Sequence, residues 1–174
     1  MPLRSLKPGT DNGSQMNRYI RLASVFLPLA VAVFAIALHS AVATAADDPK
    51  TDLPRISPEE LIKILKSSAG DKPAMFQVGF RVLYAQAHIP GSEYIGAAST
   101  DPGLKQLQQR VEALPKNKFI VLYCGCCPWI HCPNVKPAYE KLHALGFTNV
   151  KVLYIAENFG TDWVDKGYPV AKGE

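Results

Sequence analysis

The chain of 174 residues is 48% hydrophobic and 20% charged, which suits one ordinary globular domain and excludes a disordered chain or two full domains. Its formal net charge of +4 is concentrated at the start: residues 1–45 hold four of the 19 basic residues (Arg4, Lys7, Arg18, Arg21) but only one of the 15 acidic ones, Asp11. The remainder is close to neutral, so the charge gives no reason to expect nucleic acid.

Residues 1–45 read as an N-terminal leader and signal peptide. Met16-Asn-Arg18-Tyr-Ile-Arg21 is a short basic start, Leu22 to Leu38 carries no charge, and Ala43-Thr-Ala45 fits a small-residue cleavage site. This pattern predicts export, in the first instance to the periplasm. The residues before Met16 look like a gene-start artefact. The alternative is an uncleaved membrane anchor at residues 22–38; Pro28, which interrupts the run, favours cleavage. Residues 46–55 are expected to be a polar, flexible linker, residues 56–170 the folded domain, and residues 171–174 a C-terminal tail.

Within the domain, Ser57-Pro-Glu-Glu60 is a capping-box start, and Leu61, Ile64 and Leu65 predict a helix of three turns ending near Ser68-Ala-Gly70. Ala74 to Val78 predicts a buried strand, residues 84–91 an irregular segment ending in a Pro-Gly turn, and residues 94–97 a short strand. Thr100 or Asp101 caps a helix carrying Leu104, Leu107, Val111 and Leu114, which Pro115 to Lys118 ends. Phe119 to Tyr123 is the clearest buried strand. A helix from about Asn134 carries Val135, Ala138, Tyr139 and Leu142 and ends at Gly146; a strand from Asn149 to Tyr154 and a short helix from Phe159 to Lys166 follow. Alternating strands and helices predict an α/β fold, a central, mainly parallel sheet with helices on both faces, with ligands bound beyond the C-terminal strand ends.

All four cysteines lie between the central strand and the next helix, in Cys124-Gly-Cys-Cys-Pro-Trp-Ile-His-Cys-Pro-Asn134. A strand that stops at a cysteine, loops briefly and becomes a helix places that sulfur before unpaired N–H groups, which favours thiolate over thiol. Cys124 is therefore the expected nucleophile. Cys126 and Cys127 are adjacent, so a disulfide between them would be strained. Either can pair with Cys132 to staple the loop, or Cys126, Cys127 and Cys132 can serve as resolving or relay thiols. Gly125, Trp129, His131, Asn134 and Lys136 are the expected substrate-binding surroundings. No metal is expected; if one binds, Cys126, Cys127, His131 and Cys132 offer ligands for Cu(I) or zinc. His88 reads as a turn residue bonded to backbone, and Trp163 and Tyr168 as core aromatics.

From Ile56 to Val170 the chain resembles a single rhodanese-like domain. The likeness rests on His88-Ile-Pro-Gly91, Ile120-Val-Leu-Tyr-Cys124, Leu142-His-Ala-Leu-Gly-Phe147, and Trp163 with Gly167-Tyr-Pro-Val170, in the family's order. The resemblance implies that Cys124 takes a sulfane sulfur from a donor such as thiosulfate, becomes a persulfide and passes the sulfur to a thiol. It also shows departures. The cysteine loop is longer than usual and has no arginine, Gln77-Val-Gly79 replaces an Asp-x-Arg element, Pro128 and Pro133 remove two N–H donors, and no glycine pair stands near Glu157-Asn158. Lys136 or Arg81 can supply positive charge, though neither matches the family's position. The missing arginine argues against phosphatase or arsenate chemistry.

The leading expectation is an exported rhodanese-like sulfurtransferase without a cofactor. Its partners would be a small sulfur donor such as thiosulfate or a persulfide, a thiol acceptor and a periplasmic thiol-redox protein. It would bind no nucleic acid and meet the membrane only through an uncleaved signal segment. One alternative is a thiol-disulfide or soft-metal-handling protein using the Cys124 to Cys132 cluster. The other is a non-catalytic binding module with a disulfide-locked loop.

Overall fold

A computed structural model describes residues 50, 52–68 and 70–173. The expected signal segment, anchor and cleavage site lie outside the described residues. Among those described, no helix is long and apolar enough to cross a membrane.

Among the described residues, five short strands form one sheet: β1 (Arg55–Ile56), β2 (Ala74–Gln77), β3 (Glu93–Tyr94), β4 (Ile120–Tyr123) and β5 (Val150–Leu153). Their spatial order is β1-β5-β4-β2-β3 and every pairing is parallel, so the sheet is wholly rather than mainly parallel. The helices are α1 (Pro58–Lys66), α2 (Arg81–Gln86), α3 (Asp101–Val111) and α4 (Val135–Ala144), joined by a 3₁₀ turn at Trp129–His131 and a π-helical turn at Gly160–Val164.

Local chemistry explains the helix ends. Ser57 Oγ accepts from Glu60 N at 3.1 Å while Glu60 Oε2 accepts from Ser57 N at 2.9 Å, the reciprocal capping box read from the sequence. Thr100 Oγ1 accepts from Gly103 N at 3.3 Å to start α3. Gly146, at φ +85°, closes α4 in the left-handed conformation.

Several expected boundaries shift. A helix covers Arg81–Gln86 and takes in the first three residues of the segment 84–91 expected to be irregular; six residues without a side-chain cap show too little periodicity to be read. Helix α1 buries Leu61 and Ile62, while Ile64 and Leu65 only lean on the core. Strand β3 is reduced to Glu93 and Tyr94. Within the expected linker, Leu53 is buried and Arg55 pairs with Val152 in the sheet. Ala171, expected in the tail, exchanges two 2.9 Å backbone hydrogen bonds with His88.

Strand β4 is buried throughout and alternates between two cores, because side chains on a strand point to opposite faces in turn. Ile120 and Leu122 join α3 and α4 residues Leu107, Val111, Val135, Ala138 and Leu142 on one face. Val121 and Tyr123 join Ile56, Leu61, Phe159 and Trp163 on the other. The alternation carries one residue past the strand: Cys124 falls on the α3/α4 side, facing the start of α4.

Candidate active site

The C-terminal ends of β2 and β4 lie side by side, with Gln77 opposite Tyr123. Beyond them the chain leaves the sheet at Val78 and Cys124, and Val78 N still donates to Tyr123 O at 2.9 Å. Gln77 is 2% exposed; its Nε2 donates to Cys124 O at 3.3 Å and its Oε1 accepts from Gly79 N at 3.1 Å. One amide side chain thus ties the two strand exits together. A Cβ at Gly79 would stand 2.8 Å from Cys124 Sγ, so the space a side chain would need there holds the sulfur.

Cys124 Sγ lies 3.2 Å from Cys126 Sγ, which lies 3.1 Å from Cys127 Sγ. Cys132, just before α4, completes a set in which the sulfurs of Cys124, Cys126 and Cys132 all lie within 4.8 Å of one another. Asn134 is fully buried and joins three segments: its Nδ2 donates to Cys124 Sγ at 3.3 Å, and its Oδ1 accepts from Ser99 N at 2.9 Å. All four cysteines are free thiols. The expected staple between Cys132 and Cys126 or Cys127 is therefore not formed; the loop gathers three sulfurs around one point instead.

The loop is held from outside. Gly125, at φ +73°, packs so closely on Phe159 that a Cβ would meet the Phe159 Cβ at 2.6 Å, and Gly125 O accepts from Phe159 N at 3.0 Å. Trp129 is buried, its backbone N–H donates to Ala156 O at 2.9 Å, and its ring packs on Tyr154 at a ring distance of 5.2 Å. Lys50, from the expected linker, is buried and donates to Ile130 O at 3.0 Å.

Protons are unequally held in the cluster. The Cys132 thiol is held below its ordinary value by hydrogen bonds from Cys124 and Cys126 and then, against burial, by the N–H groups of Asn134 and Val135 at the start of α4. A hydrogen bond with Cys126 lowers Cys124, but its bond to Cys132, its burial and the Cys132 charge together push it up to about 12. Cys126 is raised because its bonds to Cys124 and Cys132 retain its proton. Burial, then the bond with Cys126, pushes Cys127 up to about 12. These bonds favour the charged form at Cys132 over its three neighbours. The expectation placed Cys124 before the helix N–H groups; the 3₁₀ turn at Trp129–His131 intervenes, so Cys132 occupies that position.

Of the other predicted site residues, His131 is exposed and outside the sulfur group, and Lys136 pairs with Glu140 at 3.9 Å on the surface of α4. Arg81 stacks on Tyr94, its guanidinium carbon 4.7 Å from the ring centre. His88 is buried, with Nδ1 2.8 Å from Tyr84 O and its ring stacked on Tyr84, the turn role read from the sequence. Gln77 and Ser99 were missed as site residues. A glutamine inside the apolar run Ala74 to Val78 was the available signal for the first, and Ser99 gave none. Two cavities, of about 490 and 380 Å³, lie against Tyr139 to Lys151 and against Met75, Ile89 and Trp163; neither is lined by a cysteine, and the convergent sulfurs mark the site more strongly than cavity size.

Comparison with known proteins agrees with this fold. The sequence pattern of the rhodanese-like domain family matches residues 57–154. Curated protein sequences give no match. Among solved structures, the Alr3790 protein of Anabaena sp. is similar at 18% identity and TM-score 0.52, covering 68% of this chain and 92% of that one. The BH2092 protein of Bacillus halodurans is similar at 24% identity and TM-score 0.51, covering 68% and 77%. The thiosulfate sulfurtransferase of Pseudomonas aeruginosa is similar at 24% identity and TM-score 0.51, covering 70% of this chain and 20% of that one. At these identities the likeness to solved structures speaks for the fold.

Proposed function

The chain belongs to the rhodanese-like domain family, and from that membership we propose that its cysteine cluster is a sulfur-transfer site in which Cys124 becomes the persulfide and Cys132 holds the proton. The observation that carries the reading is the division of labour at β4: a buried Cys124 at the strand end, with the Cys132 sulfur within 4.8 Å and stabilised as a thiolate.

In the first step the proton that Cys124 shares by hydrogen bond with Cys132 shifts to Cys132 as Cys124 Sγ attacks the sulfane sulfur of a donor such as thiosulfate, the sulfurs of the cluster titrating as one set. A sulfur–sulfur bond forms at Cys124, the donor's sulfur–sulfur bond breaks, and sulfite leaves with its electron pair. The Cys126 N–H and Asn134 Nδ2, which already face Cys124 Sγ, are placed to hold the persulfide anion. In the second step a thiolate acceptor attacks the outer sulfur and leaves as a persulfide, and Cys124 recovers its proton from Cys132. Cys126 and Cys127, both half-buried, serve as relay thiols. Residues 1–45 act as an export signal, and a periplasmic thiol-redox protein keeps the cluster reduced.

Intact mass of the reduced protein, before and after thiosulfate or a low-molecular-weight persulfide, tests the chemistry. A gain of one sulfur that Cys124→Ser abolishes supports it; an unchanged gain in that variant refutes it. N-terminal sequencing of the exported protein tests the signal, with a new terminus after Ala45 expected.

A further inference from the structure

We propose that Cys124, Cys126 and Cys132 form a three-coordinate binding site for Cu(I), independent of the sulfur-transfer reading. A metal–sulfur bond of about 2.3 Å places three sulfurs roughly 4 Å apart around a trigonal ion. The three sulfurs here already lie within 4.8 Å of one another, and the pair at 3.2 Å has only to open slightly. They converge from three positions that the fold fixes separately: Cys124 leaves β4, Cys132 enters α4, and Cys126 projects from the loop between them. Sequence adjacency does not explain the grouping, because Cys127 is next to Cys126 and lies outside it.

The donor set selects the ion. It is all sulfur, with His131 exposed and no carboxylate in the group, which favours a soft ion over magnesium, calcium or manganese. It offers three donors where structural zinc takes four. Cys124 and Cys132 are 3% and 6% exposed and share a core cluster with Val78, Trp129, Val135 and Phe147. That dry surrounding shields bound Cu(I) from oxidation. Three thiolates on a monovalent ion leave excess negative charge, which the Asn134 amide and the N–H groups at the start of α4 face. Binding displaces the thiol protons. Cys127 is half-buried with its sulfur 3.1 Å from Cys126, so it meets an incoming ion and passes it inward by ligand exchange.

The test uses the full, reduced chain under anaerobic conditions, titrated into Cu(I) held by a coloured bidentate chelator. The expected result is withdrawal of one equivalent, with X-ray absorption showing three sulfur neighbours and no nitrogen. Cys124→Ser, Cys126→Ser and Cys132→Ser should each weaken binding by more than the roughly 10–100-fold typical of an outer-shell change. Cys127→Ser should leave affinity unchanged and slow loading. No withdrawal, a nitrogen ligand, equal affinity for zinc, or affinity unaltered in both Cys124→Ser and the half-exposed-site variant Cys126→Ser would overturn the site. None of these readouts involves sulfur transfer, so the two readings fail separately.

Discussion

The strand end and the helix start of the cysteine loop hold similar sulfurs in opposite states. Cys124 and Cys132 are both buried, and both belong to the same apolar cluster. Cys124 is nonetheless pushed above its ordinary value while Cys132 is held below it. Burial acts alike on both and so cannot account for the contrast. The difference lies in the donors: Cys132 collects two thiol hydrogen bonds and two helix-start N–H groups, whereas Cys124 has one thiol bond and one N–H from Cys126 and an Asn134 amide, and gives its own proton to Cys132 while lying against that charge. A position fixed by the strand and a charge fixed by the helix have come apart, because the lengthened loop places a second cysteine where α4 begins.

The largest effect should come from removing that charge. Cys132→Ser is expected to lower the rate of persulfide formation at neutral pH by about 10²- to 10⁴-fold, the range of a lost general base. Its pH profile should change as well. The wild-type rate should be level across neutral pH, while the variant should rise with pH as Cys124 must ionise unaided. Stopped-flow measurement of sulfite release from pH 6 to 10 checks both; a level profile in the variant would end the assignment of the proton to Cys132.

Stability against pH divides the two sulfurs differently. The folded value of Cys132 lies below its ordinary value of 9.0, so its contribution is full above about pH 9 and is lost as pH falls through the folded value. That of Cys124 is raised from 9.0 to about 12, so its protonated form favours folding below pH 9 and that advantage is lost as pH climbs toward 12. Melting temperatures should therefore fall on both sides of about pH 9. Cys132→Ser should flatten the acid limb, and Cys124→Ser should reduce the alkaline limb, to which the raised Cys126 and Cys127 also contribute.

A smaller effect tests the cradle itself. Gly79→Ala places a Cβ 2.8 Å from Cys124 Sγ and 3.0 Å from Gln77 Nε2, both in a packed interior. Overpacking of this kind costs about 1–3 kcal/mol. The denaturation midpoint should drop accordingly, and the displaced sulfur should lose both persulfide and Cu(I) capacity. A stable variant with full capacity would show that the sulfur has more room than the packing implies.

How far the site could be read beforehand follows the same division. The strand position of Cys124 was legible because Phe119 to Tyr123 is an unbroken apolar run, and the helix after it because Val135, Ala138 and Leu142 recur at helical spacing. The capping box at Ser57 and the left-handed Gly146 were equally plain, being local backbone chemistry. What the sequence hid is tertiary. The path of the loop is set by contacts with distant residues, namely Lys50 on Ile130, Phe159 on Gly125 and Ala156 on Trp129, none of them local in sequence. Gln77 could be seen as an oddity in an apolar strand, but its partner across the sheet could not. Which cysteine meets the helix dipole depends on that path.

The smallest expected effect concerns Lys136, a candidate source of positive charge one turn into α4. Its ammonium lies 3.9 Å from Glu140, and the two side chains are 45% and 60% exposed. An exposed i,i+4 pair of this kind contributes a few tenths of a kcal/mol to a helix and is screened by salt. Lys136→Ala should therefore leave the melting temperature within a degree or so and the saturated rate unchanged. What it should alter is the encounter with a dianionic donor: KM for thiosulfate should rise less than about threefold at low ionic strength, and the rise should vanish near 0.15 M salt, where the Debye length is about 8 Å. Repeating the measurement with a neutral trisulfide should show no change at any salt. A tenfold loss in the saturated rate would mean that a surface cation, and not the backbone at the start of α4, keeps Cys132 charged, and the contrast between the two ends of the loop would need another cause.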